Sequence, residues 1–220
     1  MTYHMSFGDL LPYWGVLARG LLYTIILTVV STVTGLAVGT AGAWARSFGP
    51  KWAGYAVGAY VELIRNTPFI VQLFFVFFGL PAIGVKMTES QAAFLAMVIN
   101  LGAYSTEIIR AGIQAVPKGH LEAAASLAMS RLETFRYVVL KQAFMKVYPA
   151  LSSQIVIVML GSAVVSQISA EDLTYAANFV QSRNFRAFEV YLVAAFLYLL
   201  LAIAMRALLR GIGRALFPKA

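Results

Sequence analysis

Five long apolar stretches constrain the fold of this chain more than any other feature of its sequence. They cover about residues 20–45, 55–80, 91–113, 144–165 and 188–205. A helix that crosses a bilayer needs about 20 mostly apolar residues. Only 12% of the residues are charged, about half the charged fraction of a typical soluble protein. The sequence therefore predicts an all-α integral membrane protein with about five transmembrane helices in one domain, residues 1–220.

Lysine and arginine are distributed unevenly among the segments that join these stretches. Five crossings place the chain termini on opposite sides of the membrane. With an external N-terminus, twelve of the 17 basic side chains fall in internal segments and four in external segments, while Arg65 lies inside a span. Cytoplasmic loops are enriched in lysine and arginine. We therefore predict an external N-terminus, a cytoplasmic C-terminus and a cytoplasmic loop at residues 114–143. The net charge of +8 is then a topology signal and not a sign of nucleic-acid binding.

Several kinds of chemistry find no support in the sequence. It contains no cysteine, so it lacks a disulfide framework and a thiolate metal site. It has no glycine-rich phosphate loop that ends in Lys and Ser or Thr. His4 and His120 lie on separate segments without metal-ligand spacing. Residues 1–9 include no basic residue and do not resemble a secretory signal. We expect no catalytic residue, no metal site and no cofactor in this chain.

The polar loop at residues 114–143 has the pattern of two short helices. The first is predicted over about Lys118–Leu127, because the run Glu122-Ala123-Ala124-Ala125 favours a helix. The second begins at Ser130, whose hydroxyl can form a capping box with Glu133. A rigid helix pair at the membrane surface can transmit a force from another protein.

In the second helix of this loop, Leu132, Phe135 and Val139 recur at helical spacing. We expect these three side chains on one side of the helix, with the charged residues elsewhere.

The loop resembles the coupling loop of ABC-importer permeases, whose pattern is Glu-Ala-Ala, three residues, Gly, nine residues, and Ile-x-Leu-Pro. Glu122-Ala123-Ala124, Val138 and Leu140 match this pattern at the same spacing, whereas Ala128 replaces the family's glycine and Lys141 its proline.

Two further segments strengthen the resemblance. Residues 103–113 read AYSTEIIRAGI and lead to VPKG, and residues 62–68 read ELIRNTP, with QLFF at 72–75. Together they are similar to the polar-amino-acid uptake branch of those permeases, over about residues 20–210.

This resemblance implies a type I ABC importer fold and a location in the inner membrane of a bacterium. The chain would be the permease subunit of an importer for a polar or charged amino acid. Its implied partners are an identical or homologous permease, two cytoplasmic ATPase subunits that hold ATP and Mg, and an external solute-binding protein. The residues expected to couple to the ATPase are Glu122, Ala123, Ala124, Ala128, Ser130 and Leu132.

Polar residues inside the third stretch are candidates for the transport path. Asn100, Tyr104 and Glu107 fall on one face of a helix by their spacing. A charge at the centre of a bilayer costs about 2.5–3.5 kcal/mol on insertion scales, so Glu107 needs a partner or an aqueous path. It could face the cationic group of a substrate, or it could pair with Arg110.

The second stretch contains a predicted break. Pro68 removes a backbone donor and disfavours helix at Thr67. Broken helices are tolerated in membranes where they line a cavity or are buried in protein. Thr67 and Gln72 are therefore also candidates for the path, whereas Glu62 and Arg65 are expected to neutralise each other.

An external helix is predicted over about residues 171–180, with Ser169 as its cap and Asp172 at its third position. Two rival functions remain open. A secondary transporter or channel would use Glu107 as an ion site but would leave the cytoplasmic helix pair without a role. A membrane enzyme would need a catalytic constellation, which the sequence does not suggest.

Overall fold

A computed structural model describes residues 4–217, which are mostly helical with no strand among them. In chain order the α-helices are α1 (Trp14–Phe48), α2 (Lys51–Arg65), α3 (Phe69–Phe74), α4 (Leu80–Ala82), α5 (Glu89–Gln114), α6 (Lys118–Ser126), α7 (Arg131–Glu133), α8 (Leu140–Gly161), α9 (Leu173–Asn184) and α10 (Ala187–Leu216). The intervening π-helical segments are Phe75–Gly79 and Thr134–Val139, and the 3₁₀ segments are Gly8–Tyr13 and Ser162–Ile168.

Four continuous helical stretches are long and apolar enough to cross a membrane. They are Gly8–Phe48, Glu89–Gln114, Arg131–Ile168 and Ala187–Leu216. A bent pair, Lys51–Arg65 with Phe69–Ala82, meets the same criterion when taken together, which gives up to five spans. The predicted all-α membrane fold with about five spans is confirmed, and the break in the second stretch lies at Thr67 and Pro68, as expected.

Two helix boundaries differ from the sequence prediction. The fourth span was expected to begin at residue 144, but the helix runs without a break from Arg131 to Ile168. The last helix was expected to end near residue 205, but it continues to Leu216. In both places the hydropathy of the residues falls, but the residues remain good helix formers. The helix therefore continues past the apolar stretch, since helix propensity does not depend on burial in lipid.

The chain packs as two compact units, and each of the four long helices contributes to both. The Asp172 unit comprises residues 4–31, 69–97 and 156–208. The Glu107 unit comprises residues 32–68, 98–155 and 209–217. The single domain over residues 1–220 stays a prediction.

The core of the Asp172 unit forms around α9. Its buried residues come from the first turns of the chain and from α1, α9 and α10, and they are Leu10, Leu17, Leu173, Ala176, Ala177, Val180, Val190 and Ala194. A Cβ atom on Gly20 would lie 2.7 Å from the Ala176 Cβ and 2.8 Å from the Asp172 carbonyl oxygen. The absence of a side chain at Gly20 therefore allows α1 and α9 to touch.

The core of the Glu107 unit forms where α5, the loop helices and α8 meet the end of α1. Its buried residues are Ala43, Ile109, Ile113, Val116, Phe135, Val139, Ala143 and Leu151. Gly35, Gly39 and Gly42 of α1 face α5 so closely that added Cβ atoms would lie 2.4–3.0 Å from its side chains. Small residues at this spacing let membrane helices approach each other closely.

Candidate functional site

The polar face predicted for α5 is present. Asn100, Tyr104 and Glu107 are all half-buried, whereas Ile109 on the opposite side of the helix is buried completely. The helical spacing therefore places these three candidates for the transport path on the less buried face of α5.

Glu107 is paired with two arginines. Its Oε2 atom lies 2.7 Å from Arg46 Nη1, and both of its carboxylate oxygens lie 3.1 Å from Arg110 Nε. Arg110 Nη2 donates a further hydrogen bond to Oε1. Arg65 lies over the Tyr104 ring, 5.5 Å from its centroid. The pairing of Glu107 with Arg110, one of the two alternatives, is formed, and three guanidinium groups surround this end of the polar face.

Arg46 was not predicted as a partner of Glu107, because 61 residues separate the two in the chain. The sequence did contain a signal in the spacing of Gly35, Gly39 and Gly42, which precede Arg46 on α1. These glycines bring α1 against α5, and Arg46 then reaches Glu107 one turn beyond the contact. Small residues that recur on one side of a membrane helix are a sequence signal of a close helix pair.

The break between α2 and α3 is satisfied locally. The Thr67 hydroxyl donates to the Leu63 carbonyl over 2.9 Å. Asn66 Nδ2 donates to the Glu62 carboxylate over 3.1 Å. The expected ion pair between Glu62 and Arg65 is absent among the residues that the structure describes, and the Glu62 carboxylate accepts from Asn66 instead.

Thr67 and Gln72 do not belong to one packing unit. Thr67 is half-buried in the Glu107 unit, whereas Gln72 is 7% exposed in α3 of the Asp172 unit. Their roles in transport stay predictions.

The polar loop at residues 114–143 begins as predicted. Its first helix, α6, covers Lys118–Ser126, one residue shorter than expected. At its second helix the Ser130 hydroxyl accepts from the Glu133 N–H over 3.3 Å, and the Glu133 carboxylate accepts from the Ser130 N–H over 2.8 Å. The predicted capping box is confirmed.

The corner between these helices exposes apolar side chains. Ala128 adopts a φ of 54°, in the left-handed region, which glycine adopts most easily. Leu127 is 76% and Leu132 is 62% exposed on either side of it. Glu122 and Ala123 are also exposed, whereas Ala124 is buried.

The expectation that Leu132 shares a side with Phe135 and Val139 is wrong. Phe135 and Val139 are buried, but Leu132 points to the surface. The segment Thr134–Val139 is π-helical, and its wider turn rotates each residue by a smaller angle than an α-helix does. The buried face therefore shifts after Glu133.

The cap of α9, the helix predicted over about residues 171–180, is Asp172 and not Ser169. The helix begins at Leu173, and Ser169 has a φ of 63° that removes it from the helix start. The Asp172 carboxylate accepts from the Tyr175 N–H over 2.8 Å and from the Tyr198 hydroxyl over 2.9 Å. Its burial raises the pKa of Asp172 to about 6.

Comparisons with known proteins identify the family to which this chain belongs. Residues 35–218 match the family described as "Binding-protein-dependent transport system inner membrane component". The L-cystine transport system permease protein of Bacillus subtilis is 36% identical, over 84% of this chain and 80% of its own length. The glutamine transport system permease protein of Escherichia coli K12 is 32% identical, over 92% of this chain and 94% of its own length.

Solved structures agree with these relatives. A chain of an amino acid ABC transporter crystallised with histidines matches with a TM-score of 0.87 at 35% identity, covering 97% of this chain and 100% of that chain. A chain of a methionine ABC transporter in an inward-facing conformation matches in fold, with a TM-score of 0.80 at 20% identity. This chain therefore belongs to the family of inner-membrane components of binding-protein-dependent transport systems, with the fold of a type I ABC importer permease.

Proposed function

We propose that this permease forms the translocation path for a polar amino acid or a close derivative. The observation that supports this most is the half-buried polar face of α5, formed by Asn100, Tyr104 and Glu107. We also assign a role in transport to Thr67, beside the break between α2 and α3, and to Gln72, about one turn beyond it, because transporters place such breaks at their substrate sites. Relatives named for L-cystine and glutamine transport favour this substrate class.

Uptake into proteoliposomes tests this function against the rival mechanisms. The permease is reconstituted with and without an added ATPase subunit and with the external binding protein. We expect uptake of a radiolabelled amino acid only when ATP and the ATPase are both present. Uptake that follows a proton or sodium gradient without the ATPase would instead support a secondary transporter.

Glu107 offers a direct test of the path. Because Arg46 and Arg110 already bond to it, a cationic substrate would have to compete with two guanidinium groups. Glu107→Gln retains the size and removes the charge. If this variant imports a cationic amino acid as well as the parent does, the charge is not a substrate contact. Glu89→Gln, an exposed carboxylate on the first turn of the same helix, is the matched control.

The ATPase subunits are assigned to the coupling-loop corner. Leu127 and Leu132 form an exposed apolar pair on either side of Ala128, at the polar beginning of the stretch Arg131–Ile168. The centre of the contact is the corner at Ala128 with Glu122. ATP and Mg would be bound by those subunits, and a second permease and an external binding protein would complete the transporter.

A bulky charge at the corner tests this assignment. Ala128→Arg should lower recovery of the ATPase in a co-purification at least about tenfold, equivalent to about 1.4 kcal/mol of binding. Ala128→Gly should bind normally, since glycine adopts the left-handed conformation more easily. Ala82→Arg, an exposed alanine at the end of α4, controls for the added charge. Normal assembly and normal uptake by Ala128→Arg would refute docking at this corner.

We also propose an external N-terminus and a cytoplasmic C-terminus, on the basis of the asymmetry of lysine and arginine. Single cysteines at Gln114 and Gly84 should react with impermeant reagents from the cytoplasmic and external sides respectively. The reverse labelling pattern would refute the proposed topology.

A further inference from the structure

We propose that a cavity between α1 and α9 in the Asp172 unit binds the headgroup of a phospholipid that carries a primary amine. The lipid phosphate would contact Arg19, the ammonium group would contact Glu171, and the acyl chains would follow α1 toward the middle of the span. Both charged residues line a cavity of about 510 Å³, which falls within the usual range of about 300–1,000 Å³ for small-molecule sites.

The cavity is a product of close helix packing. Gly20 forms part of its wall, and a side chain at this position would collide with Ala176 and with the Asp172 carbonyl. The backbone N–H of Leu173 donates to the Thr24 hydroxyl over 3.1 Å, which attaches the first turn of α9 to α1. This bond holds the backbone of α9 against α1, and Glu171 lies two residues before α9 begins.

The charges of the cavity complement a zwitterion. Arg19 and Glu171 are exposed, and neither forms an ion pair with another residue in the described part of the chain. A guanidinium group binds phosphate through two parallel hydrogen bonds. A carboxylate only accepts hydrogen bonds, so it needs a donor such as a primary ammonium group. A choline headgroup has no N–H to donate, and a glycerol headgroup has no positive charge.

The apolar lining identifies the ligand as an amphiphile. Leu22 and Ile26 line the cavity and are 56% and 52% exposed, and Val29 and Val30 continue the same side of α1 at 48% and 45%. An arginine at the end of a membrane helix lies at the depth of the lipid headgroups. An acyl chain would cover this apolar stripe, whereas a soluble zwitterion has no apolar part that could contact it.

A lipid fits this surface better than a second protein helix does. An apolar helix packed here would cover the apolar stripe, but it would also remove Arg19 and Glu171 from water without supplying partners for them. Burying charges without partners is strongly unfavourable. A zwitterionic headgroup supplies a partner for each charge and keeps both at the membrane surface.

Native mass spectrometry of the purified transporter tests the site. The complex is incubated with equal amounts of phosphatidylethanolamine, phosphatidylcholine and phosphatidylglycerol of the same acyl composition. We expect the parent to retain phosphatidylethanolamine over each of the others by at least about fivefold, equivalent to about 1 kcal/mol. Equal retention of the three lipids would overturn the proposal.

Two variants and two controls identify the residues. Glu171→Gln should remove the preference for phosphatidylethanolamine over phosphatidylcholine, and Arg19→Gln should lower retention of all three lipids. Lys86→Gln and Glu62→Gln change exposed charges outside the cavity and should leave the preference unchanged. Persistence of the preference in the Arg19→Gln and Glu171→Gln double variant would overturn the assignment.

Two further measurements exclude other occupants. Phosphoethanolamine carries the same charged groups without acyl chains, so it should not displace the lipid at millimolar concentration. Displacement would show that a soluble zwitterion occupies the cavity instead. A cysteine at Ile26 should not form a disulfide with a second copy of the chain, and efficient cross-linking would identify this face as a protein interface.

Discussion

Asp172 and Glu107, one in each packing unit, are carboxylates that the protein satisfies by opposite means. Asp172 has no exposed surface, and its partners are the neutral Tyr175 N–H and Tyr198 hydroxyl. Glu107 is 24% exposed, and its partners are two arginines. Neutral donors leave part of the cost of burying a charge uncompensated, whereas a guanidinium group cancels the charge itself.

The two carboxylates also connect different helices. Asp172 caps α9 and bonds to α10, while Glu107 joins α1 to α5. Each unit pairs its carboxylate with a close glycine contact, at Gly20 in the Asp172 unit and at Gly39 in the Glu107 unit. In each unit, therefore, a polar contact and a steric contact together hold the helices in place.

The largest effect is expected from Glu107→Ala. The change leaves Arg46 and Arg110 facing each other without the carboxylate, and we expect it to lower the free energy of unfolding by about 2–4 kcal/mol. Thermal unfolding of the detergent-solubilised protein measures this loss. Combining it with Arg46→Ala should cost less than the sum of the single changes, because the second change removes an unpaired charge. Strictly additive losses would mean that the ion pair contributes nothing.

The second-largest effect is expected at Asp172, which should make the stability of the protein depend on pH. Burial raises its pKa from 3.8 to about 6, so between about pH 4 and pH 6 the folded chain holds a proton that the unfolded chain has lost. The contribution of Asp172 to stability should therefore be greatest below this window and should fall by roughly 2–3 kcal/mol as the pH rises through it. Asp172→Asn retains a capping side chain and should remove this component.

Unfolding midpoints of the parent and of Asp172→Asn, measured from pH 4 to pH 7, test the assignment. The difference between them should change across this range. A constant difference would mean that Asp172 has the same proton affinity in the folded and unfolded chains.

The glycine contacts should show a smaller effect. A methyl group on Gly39 would lie 2.4 Å from the Ser105 Cβ, whereas one on Gly20 would lie 2.7 Å from the Ala176 Cβ. We expect Gly39→Ala to destabilise the protein by about 1–2 kcal/mol and Gly20→Ala by somewhat less. Gly161→Ala has no atom within 4 Å of the new methyl group and should be neutral or stabilising. Equal midpoints for the three variants would contradict the packing argument.

The smallest effect concerns two of the three non-glycine residues with positive φ in the described part of the chain. Ala128 and Ser169 have φ values of 54° and 63°. Replacing either residue with glycine should raise the free energy of unfolding by about 0.5–1 kcal/mol, because glycine adopts this conformation without a steric penalty. Chemical denaturation in mixed micelles can resolve gains of this size if the variants have the same dependence of unfolding free energy on denaturant concentration. A loss of stability in both variants would show that the lost side-chain contacts outweigh the relief of backbone strain.

Local interactions were determined by the sequence itself. The apolar stretches required membrane helices, Pro68 ended a helix, and the pattern at Ser130 and Glu133 was sufficient for a capping box. The shared face of Asn100 and Glu107 followed from helical spacing alone. These features depend on residues within about seven positions of each other, so a regular helix places them correctly.

Only the tertiary structure decided which charges met and which side chains were buried. Arg46 reaches Glu107 because glycines bring α1 against α5, and Asp172 became a cap because Ser169 left the helix in a left-handed conformation. The π-helical segment after Glu133 shifts the buried face of the helix, so Leu132 is exposed while Phe135 and Val139 are buried. Regular α-helical periodicity does not predict this shift. These outcomes depend on contacts between distant segments, whose energies compete with local preference and are not encoded in the spacing of any one helix.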